Sequence, residues 1–489
     1  MNSWFRRAAT QGRPYNWGIP HVSDGRILRA RRRRVGAGAF LLLCLNNFPV
    51  KAQSLEEEVR AMRIELRRLQ QEVGTLKEEL RRRTAPAESV DGGSQGHQEK
   101  RAAPQEPAAA EVLPLLQAQV AEHAQVKVES NSRLPLKIFG TIVSNTFWNS
   151  GEANWLDVPN IVAPSPDAPV PKGSFSSTMR QSRFGVIVDG PAIGSLKSSG
   201  FLALDFFGGI PNFQTGQVMG IPRLLYAFAR VEGERTALEV GQDHMILAPR
   251  NPTSLAAMAF PDLYRSGNLY LRVPQARVEQ RIAAGDLDEF QLTGGILAPI
   301  AGDFAANSLV FVPPNLAGER SRRPAAQGRV AWKRRFSSGS EDRLEIGVSG
   351  HYGRERPVMG PRRSWAGAVD LEARAGRVGI GGEWFAGRNI DAFGGSLGQV
   401  AKSTGGFLEG RLAATRRLEL NAGVGIDRLF DFDLFPAPLR QNRSIYANTI
   451  FQVTPELAAS FEYRWLMTTP ARGEMRRNNH LNLALAFSF

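Results

Sequence analysis

Hydrophobic residues alternate with small or polar residues along most of the C-terminal part of the chain. The clearest case is the last segment, residues 480–489, in which every second residue is Leu or Phe. Similar alternation recurs at residues 344–348 and 418–426. A two-residue period places one set of side chains on each face of a β-strand. The pattern therefore predicts strands with one apolar face, either in a soluble sandwich or in a membrane barrel.

The number and spacing of these segments separate the two folds. We place sixteen strands at residues 137–148, 178–189, 196–207, 221–231, 235–244, 267–281, 288–299, 327–336, 343–353, 364–374, 376–386, 405–414, 416–427, 443–453, 456–467 and 480–489. Seven short connections alternate with eight that are mostly longer. Short periplasmic turns alternating with longer external loops are typical of outer-membrane barrels, and nothing in a sandwich requires them. Residues 135–489 are therefore predicted to form an all-β transmembrane barrel of about sixteen antiparallel strands.

A different period, with apolar residues alternately four and three positions apart, precedes the barrel. It runs without a break through Leu55, Val59, Met62, Leu66, Leu69, Val73, Leu76 and Leu80. This spacing keeps one apolar stripe facing a partner helix, so residues 53–83 are predicted to form a parallel α-helical coiled coil. Charge supports the parallel arrangement, because Glu58 would face Arg63 of the neighbouring chain. An amphipathic surface helix is the alternative, and the seam does not decide between two and three chains.

The segments on either side of the coil have compositions typical of linkers and targeting sequences. Four prolines interrupt residues 84–134, whose Pro, Gly and Ala content predicts a flexible linker. Residues 1–52 contain a basic stretch, an apolar run at 35–45 and a small-residue cleavage site. This order predicts a secretory signal peptide with an N-terminal extension. The coiled coil would then lie in the periplasm.

The net charge of +14 is concentrated near the N-terminus. Residues 1–52 hold ten basic side chains and one acidic one, which leaves a net charge of +5 for residues 53–489. Nucleic acid is therefore not an expected partner. The single cysteine, Cys44, excludes a disulfide framework and a cysteine zinc site. Two G-x-S-x-G matches, at 92–96 and 394–398, fall in a linker and a Gly-rich loop, so we expect no catalytic site, metal or cofactor.

Charged residues on the lumen side of the predicted strands are the candidate functional residues. In the second strand, an apolar Phe184 would face lipid, so Arg183 would face the lumen. In the sixth strand, lipid-facing apolar residues up to Val273 would place Arg272 in the lumen.

The sixth predicted strand needs an irregularity at Pro274. Continuing its register would aim the following charged residues at lipid, at a cost of about 2–4 kcal/mol for each arginine at the midplane. Proline donates no ladder hydrogen bond and tolerates a bulge. We therefore predict a one-residue bulge at this proline, which would turn Arg277, Glu279 and Arg281 into the lumen.

The third long loop, residues 245–266, is predicted to fold into the lumen. Many of its residues are apolar, which would be unusual in bulk water but reasonable against the inner wall. Its charged residues are Arg250, Asp262 and Arg265. With the arginines of the wall, they would form a positively charged constriction beside an apolar patch. Such a constriction selects by charge and diameter, and would suit an aliphatic or aromatic carboxylate.

Four short segments carry a family resemblance: 137–140 (KIFG), 182–185 (SRFG), 239–243 (EVGQD) and 274–279 (PQARVE). Together with the coil, the linker and a barrel that ends in Phe, they make residues 53–489 resemble the DcaP-like trimeric porins. The resemblance implies a homotrimer of outer-membrane barrels with a coil that projects into the periplasm. It also implies small anionic solutes as cargo.

We therefore expect an outer-membrane porin for passive diffusion of small polar or anionic solutes. Its expected partners are two further copies of the chain, outer-membrane lipid and the barrel-assembly machinery. The last strand is the predicted assembly signal, with Leu485, Phe487 and Phe489 as its outward residues. A structural barrel that tethers the outer membrane to the periplasm or cell wall is the alternative function.

The first testable prediction concerns the heptad. A peptide of residues 53–83 should form a parallel trimer, because eight seam side chains would each contribute roughly 1.5–3 kcal/mol on burial. Sedimentation equilibrium measures its mass. A stable dimer, or a monomer at high peptide concentration, would contradict the trimer.

Overall fold

The alternating segments pair antiparallel and close into a single barrel. The computed structural model describes residues 135–164, 172–209, 220–300, 316–337, 341–357, 360–430 and 439–489. Its strands are β1 (Leu136–Asn149), β2 (Ser174–Thr178), β3 (Arg183–Asp189), β4 (Lys197–Asp205), β5 (Arg223–Glu232), β6 (Thr236–His244), β7 (Arg272–Ala283), β8 (Asp288–Leu297), β9 (Ala325–Arg335), β10 (Arg343–Glu355), β11 (Arg362–Ala375), β12 (Val378–Arg388), β13 (Lys402–Ala413), β14 (Leu418–Leu429), β15 (Leu439–Gln452), β16 (Leu457–Pro470) and β17 (Arg476–Ser488). From β3 onward each strand pairs with the next, and β17 pairs with β1.

Strands β2 and β3 are two halves of one crossing of the barrel wall, because both pair with β1. The predicted strand at 178–189 is thus longer than expected and is interrupted. In the interruption, the Ser182 N–H donates to the Met179 carbonyl at 3.0 Å, and the side chain of Gln181 is fully buried inside the barrel. Counting β2 and β3 together gives sixteen crossings, which confirms the predicted fold class.

The predicted signal segment, coiled coil and linker, residues 1–134, lie outside the described residues. Within the described part of the chain, no helix is long and apolar enough to cross a membrane. The helical segments found there are three short 3₁₀ turns at Glu319–Ser321, Asp391–Phe393 and Gly395–Gly398.

The two faces of the barrel wall carry opposite chemistry. In β10, outward Ile346 and Val348 are exposed, whereas Ser349 and His351 on the inward face are buried. The same alternation continues to β17, where outward Leu483 is exposed. An outward apolar band over a fully paired backbone satisfies the two requirements of a membrane-spanning sheet. The wall is therefore a transmembrane wall with a polar lumen.

Strand β7 differs from its prediction in both start and register. It pairs with β6 without a register shift, so the predicted bulge at Pro274 is wrong. Val273 is buried on the lumen side, where the sequence pattern predicted lipid. The cause is that residues 267–271 belong to the preceding loop, so the alternation cannot be extended through them. Regular alternation from Val273 places Arg277 inward without any bulge.

A bulge lies instead in β5. Tyr226 pairs with Ala203 and Leu224 with Leu204, which leaves Leu225 as the extra residue. The bulge brings Tyr226 and Arg223, three positions apart, onto the same lumen-facing side.

The C-terminal residue completes the barrel. The N–H of Phe489 donates to the Gly140 carbonyl and the Gly140 N–H donates to the Phe489 carbonyl, both at 3.1 Å. We expect deletion of Phe489 to lower the amount of heat-modifiable barrel in membranes several-fold, because both bonds and the aromatic ring are lost. Semi-native gel electrophoresis measures this fraction. Phe489→Tyr keeps the backbone pair and the ring and is the control; equal assembly of the two variants would contradict the prediction.

Candidate functional site

Residues 245–271, between β6 and β7, lie inside the barrel; we call them the lumen loop. The side chain of Leu247 is fully buried. Leu255 packs in a cluster with Val143 of β1 and Ile450 of β15. The predicted insertion of this loop into the lumen is therefore confirmed, and its apolar residues are covered by the inner wall.

Acidic side chains of the wall hold the lumen loop by accepting hydrogen bonds from its backbone. Glu409 of β13 accepts a bond from the Thr253 N–H at 2.6 Å. Glu383 of β12 accepts one from the Leu269 N–H at 3.0 Å. Peptide groups away from bulk water need such partners, and a charged acceptor makes the bond stronger.

Two glutamines hold other parts of the lumen loop. Gln327 of β9 accepts bonds from the consecutive N–H groups of residues 246 and 247, at 2.8 and 2.9 Å. Gln181, between β2 and β3, accepts bonds from the N–H groups of residues 258 and 259, at 2.8 and 3.0 Å. Because these anchors lie on distant strands, the loop crosses the lumen instead of following one side of it.

Arg250, predicted to line the constriction, is part of the lumen loop and faces three wall carboxylates. Its guanidinium lies 2.8 Å from Asp370, 3.0 Å from Glu345 and 3.9 Å from Glu372. Arg329 and Arg411 share these carboxylates, so Arg250 belongs to a network of paired charges that fastens the loop to β10 and β11.

The predicted lumen residues of β7 also lie among charges of both signs. Arg277 is 2.6 Å from Asp243 and 3.2 Å from Glu279. Arg281 is 2.8 Å from Glu232 of β5. The side chains of Arg277, Glu279 and Arg281 face the lumen, as the sequence predicts. Both arginines, however, form ion pairs with carboxylates.

Arg183 and Asp262 have different environments. Arg183 lies on the inward face of β3, directly opposite Asp205. Asp262 is a buried residue of the lumen loop itself and lies 3.7 Å from Arg464 of β16. Burial, with a contribution from nearby Glu462, raises the pKa of Asp262 well above its usual range. Asp262 is thus part of the loop support.

Arg265 and Arg272 are matched by aromatic rings instead of carboxylates. Among the described residues, neither forms an ion pair. The guanidinium carbon of Arg272 lies 4.8 Å from the ring centre of Tyr226 and 4.9 Å from that of Tyr270. That of Arg265 lies 5.6 Å from the ring centre of Tyr264. Both side chains remain partly exposed.

These two arginines belong to a larger group that joins the lumen loop to the wall, which we call the arginine–aromatic cluster. Its members are Trp155, Arg180, Phe207, Arg223, Tyr226, Phe260, Tyr264, Arg265, Tyr270 and Arg272. Phe260 connects them, with its ring centre 4.7 Å from that of Trp155 and 5.1 Å from that of Tyr264.

The arginine–aromatic cluster has an excess of positive charge. Asp157 pairs with Arg180, and Asp205 pairs with Arg223 at 2.6 Å. Burial raises the pKa of Tyr270 to about 12, so this phenol is uncharged at neutral pH. No acid of the cluster region pairs with the two remaining arginines among the described residues.

Part of the cluster was not identified from the sequence. Trp155 and Phe207 lie in loops, and Arg180 lies in the break between β2 and β3. Outside a strand, the two-residue period does not indicate which side of the wall a side chain faces. Arg223 was concealed by the bulge at Leu225. The loop arginines were identified because a charged residue in an apolar loop stands out.

The fold and the inserted loop define a class: a closed sixteen-stranded transmembrane barrel with a loop across its lumen, which is the architecture of porins. The chain is similar to the outer membrane channel DcaP of Acinetobacter baumannii, with a TM-score of 0.56 and 13% identity over 73% of this chain and 99% of that one. This likeness confirms the resemblance at the level of the fold.

Two further structures are similar over the same share of the chain, 73%. An anion-selective porin from Comamonas acidovorans is 10% identical, is covered over 100% of its length and has a TM-score of 0.47. OmpF of Salmonella typhi, in a complex with daunomycin, is 12% identical, is covered over 98% and has a TM-score of 0.48. No protein-family model and no curated protein sequence matches the chain.

The lumen loop rests on a glycine of the wall, which gives a test of its position. A Cβ atom at Gly425 would overlap the Ser266 carbonyl oxygen, so Gly425→Ala should displace the loop. Overpacking of this kind costs about 1–3 kcal/mol. We expect a larger and noisier single-channel conductance in planar bilayers. Gly410→Ala, on the adjacent β13 with open space around the new methyl group, is the matched control. Identical currents from both variants would argue against the loop as the constriction.

Proposed function

We propose that the protein is an outer-membrane porin through which small anionic or polar solutes, carboxylates among them, diffuse passively. A barrel of sixteen strands is wide enough for an aqueous channel, and the lumen loop narrows it. The observation that carries the proposed selectivity is the pair Arg265 and Arg272, neither of which forms an ion pair with a described acid and both of which lie against aromatic rings. The arginines at 250, 277 and 281 are, in contrast, held by carboxylates.

The chemistry of the cluster suits a carboxylate with an apolar body. A guanidinium can donate two parallel hydrogen bonds to a carboxylate, and it does so with fixed geometry. Rings such as Phe260 and Tyr264 offer apolar faces beside it for an aliphatic or aromatic group. Because the arginines also rest on aromatic rings and remain partly exposed, binding would be weak enough for release, which diffusion requires.

We also propose that three copies assemble, with the N-terminal coil in the periplasm. The heptad supports self-association. A second support is the outward wall at β1 and β2, where Phe175 is 74% exposed and lies directly opposite Trp148, itself 42% exposed. A neighbouring barrel would cover these aromatic side chains.

Selectivity gives the decisive measurement. The full chain, purified and inserted into planar bilayers, should form channels whose reversal potential in a KCl gradient shows moderate anion preference. We expect Arg265→Gln with Arg272→Gln to lower the anion-to-cation permeability ratio about two-fold for each charge removed. This follows from a Coulomb energy of about 0.5 kcal/mol at 8 Å in water.

The matched control keeps both charges: Arg265→Lys with Arg272→Lys. Its reversal potential should equal that of the unsubstituted protein, while block of the current by benzoate should weaken because the guanidinium geometry is lost. The absence of channels would overturn the porin proposal. A cation-selective channel, or a double Gln variant with an unchanged reversal potential, would overturn the assignment of selectivity to the cluster.

A further inference from the structure

A row of basic residues follows the outward face of the barrel at the end that carries the longer loops. Its members, which we call the basic belt, are Arg354, Arg363, Arg388, Lys402, Arg428, Arg443 and Arg477, on strands β10–β15 and β17. In the pairing register each lies within two residue positions of the next. At about 4.8 Å per strand, the belt follows the wall for roughly 35 Å.

The basic belt lies just beyond the aromatic and apolar residues of the same face. In β10, the outward residues from the end towards the middle include Arg354, Tyr352 and Val348. In β11, Arg363 is followed on that face by Trp365. Aromatic residues beside an apolar band mark the boundary between hydrocarbon and headgroups. Along the strands, the basic belt lies two residues, about 7 Å, beyond these aromatic residues towards the barrel end. This is the level of the lipid headgroups.

The belt places like charges directly opposite one another. Arg354 faces Arg363 directly across the β10–β11 strand pair. Like-charged cross-strand pairs destabilise an antiparallel sheet. At this level, no outward strand position in the described parts of β10–β17 holds Asp or Glu. Anions supplied from outside the chain would relieve the repulsion.

The other half of the circumference lacks such a row. At the same end of the barrel, the outward residues include Phe175 of β2, Leu224 of β5 and Ile296 of β8, and all three are exposed. The belt is therefore a specialisation of one half of the wall, and does not follow merely from the barrel having an external end.

We propose that the basic belt binds the phosphate groups of anionic lipids in the outer leaflet of the membrane. Guanidinium groups donate paired hydrogen bonds to phosphate oxygens. A lipid held in this way would lay its acyl chains on the outward apolar band below the belt. The proposal rests on the outer-membrane placement proposed above, but it is independent of the selectivity of the pore.

The test uses the full chain, folded and freed of lipid in detergent micelles. Fluorescent diphosphoryl lipid A is titrated into these micelles, with its dephosphorylated counterpart and inorganic pyrophosphate as separate arms. The test variant carries Arg354→Gln, Arg363→Gln, Arg428→Gln and Arg443→Gln. The control variant carries Arg235→Gln, Arg377→Gln, Arg416→Gln and Arg417→Gln. It loses the same charge from exposed positions in the short turns at the opposite end.

We expect the test variant to bind diphosphoryl lipid A at least roughly ten-fold more weakly, since each basic group near a charged lipid surface adds to the attraction. The control variant should bind as the unsubstituted protein does, and the dephosphorylated lipid should bind weakly to all three. Equal affinity of test and control variants overturns the proposal. So does equal affinity for the dephosphorylated lipid, or displacement of the lipid by equimolar pyrophosphate, which would indicate a site for free phosphate.

Two readouts keep the outcome decisive. Heat-modifiable migration reports whether each variant is folded. If the fourfold variant fails this check, the pair Arg354→Gln with Arg363→Gln replaces it, because removing a like-charged cross-strand pair does not weaken the sheet. Single-channel currents of the same preparations report the pore, so the loss of lipid binding and the absence of a channel are observed separately.

Discussion

Inside a bilayer no water is available to bond the backbone, so every peptide group must find its partner within the protein. The pairing of β17 with β1 meets this requirement for the wall. The lumen loop is not in contact with lipid, but many of its peptide groups are buried against the wall, away from bulk water, and side chains of the wall take the place of strand partners. Glu383 and Glu409 accept bonds from its amides on one part of the wall, and Gln327 and Gln181 accept them elsewhere.

This use of carboxylates determines where positive charge remains in the lumen. Carboxylates on the same part of the wall as the loop anchors also form ion pairs with nearby arginines. Asp370 and Glu345, for example, pair with Arg250. The number of lumen arginines is therefore a poor guide to the field that a solute meets. The charges to which we attribute the proposed selectivity are Arg265 and Arg272, whose guanidinium groups lie against aromatic faces instead of acids.

Most of the fold could be predicted from the sequence, because a wall with lipid outside and a polar lumen inside imposes a two-residue period on nearly every strand. The predictions failed where that period stopped. The two-residue period predicts Leu269 in a lipid-facing strand, yet Leu269 is buried in the lumen loop, because an apolar residue has the same sequence signal whether lipid or protein covers it. The arginine–aromatic cluster was only partly predicted. A bulge at Leu225 and a break at Gln181 reverse which side of the wall the following side chains face, and neither irregularity has a sequence signal.

The position of Phe489 has a consequence for how the barrel folds. Phe489 bonds to Gly140 and β17 pairs with β1, so a partly formed barrel that lacks β17 leaves both edges of the sheet unpaired. Every incomplete chain would present unpaired strand edges, which are sites of aggregation. Closure therefore has to join residues 347 positions apart in the sequence, such as Thr141 and Ser488, and such long-range pairing is slow compared with the pairing of neighbouring strands.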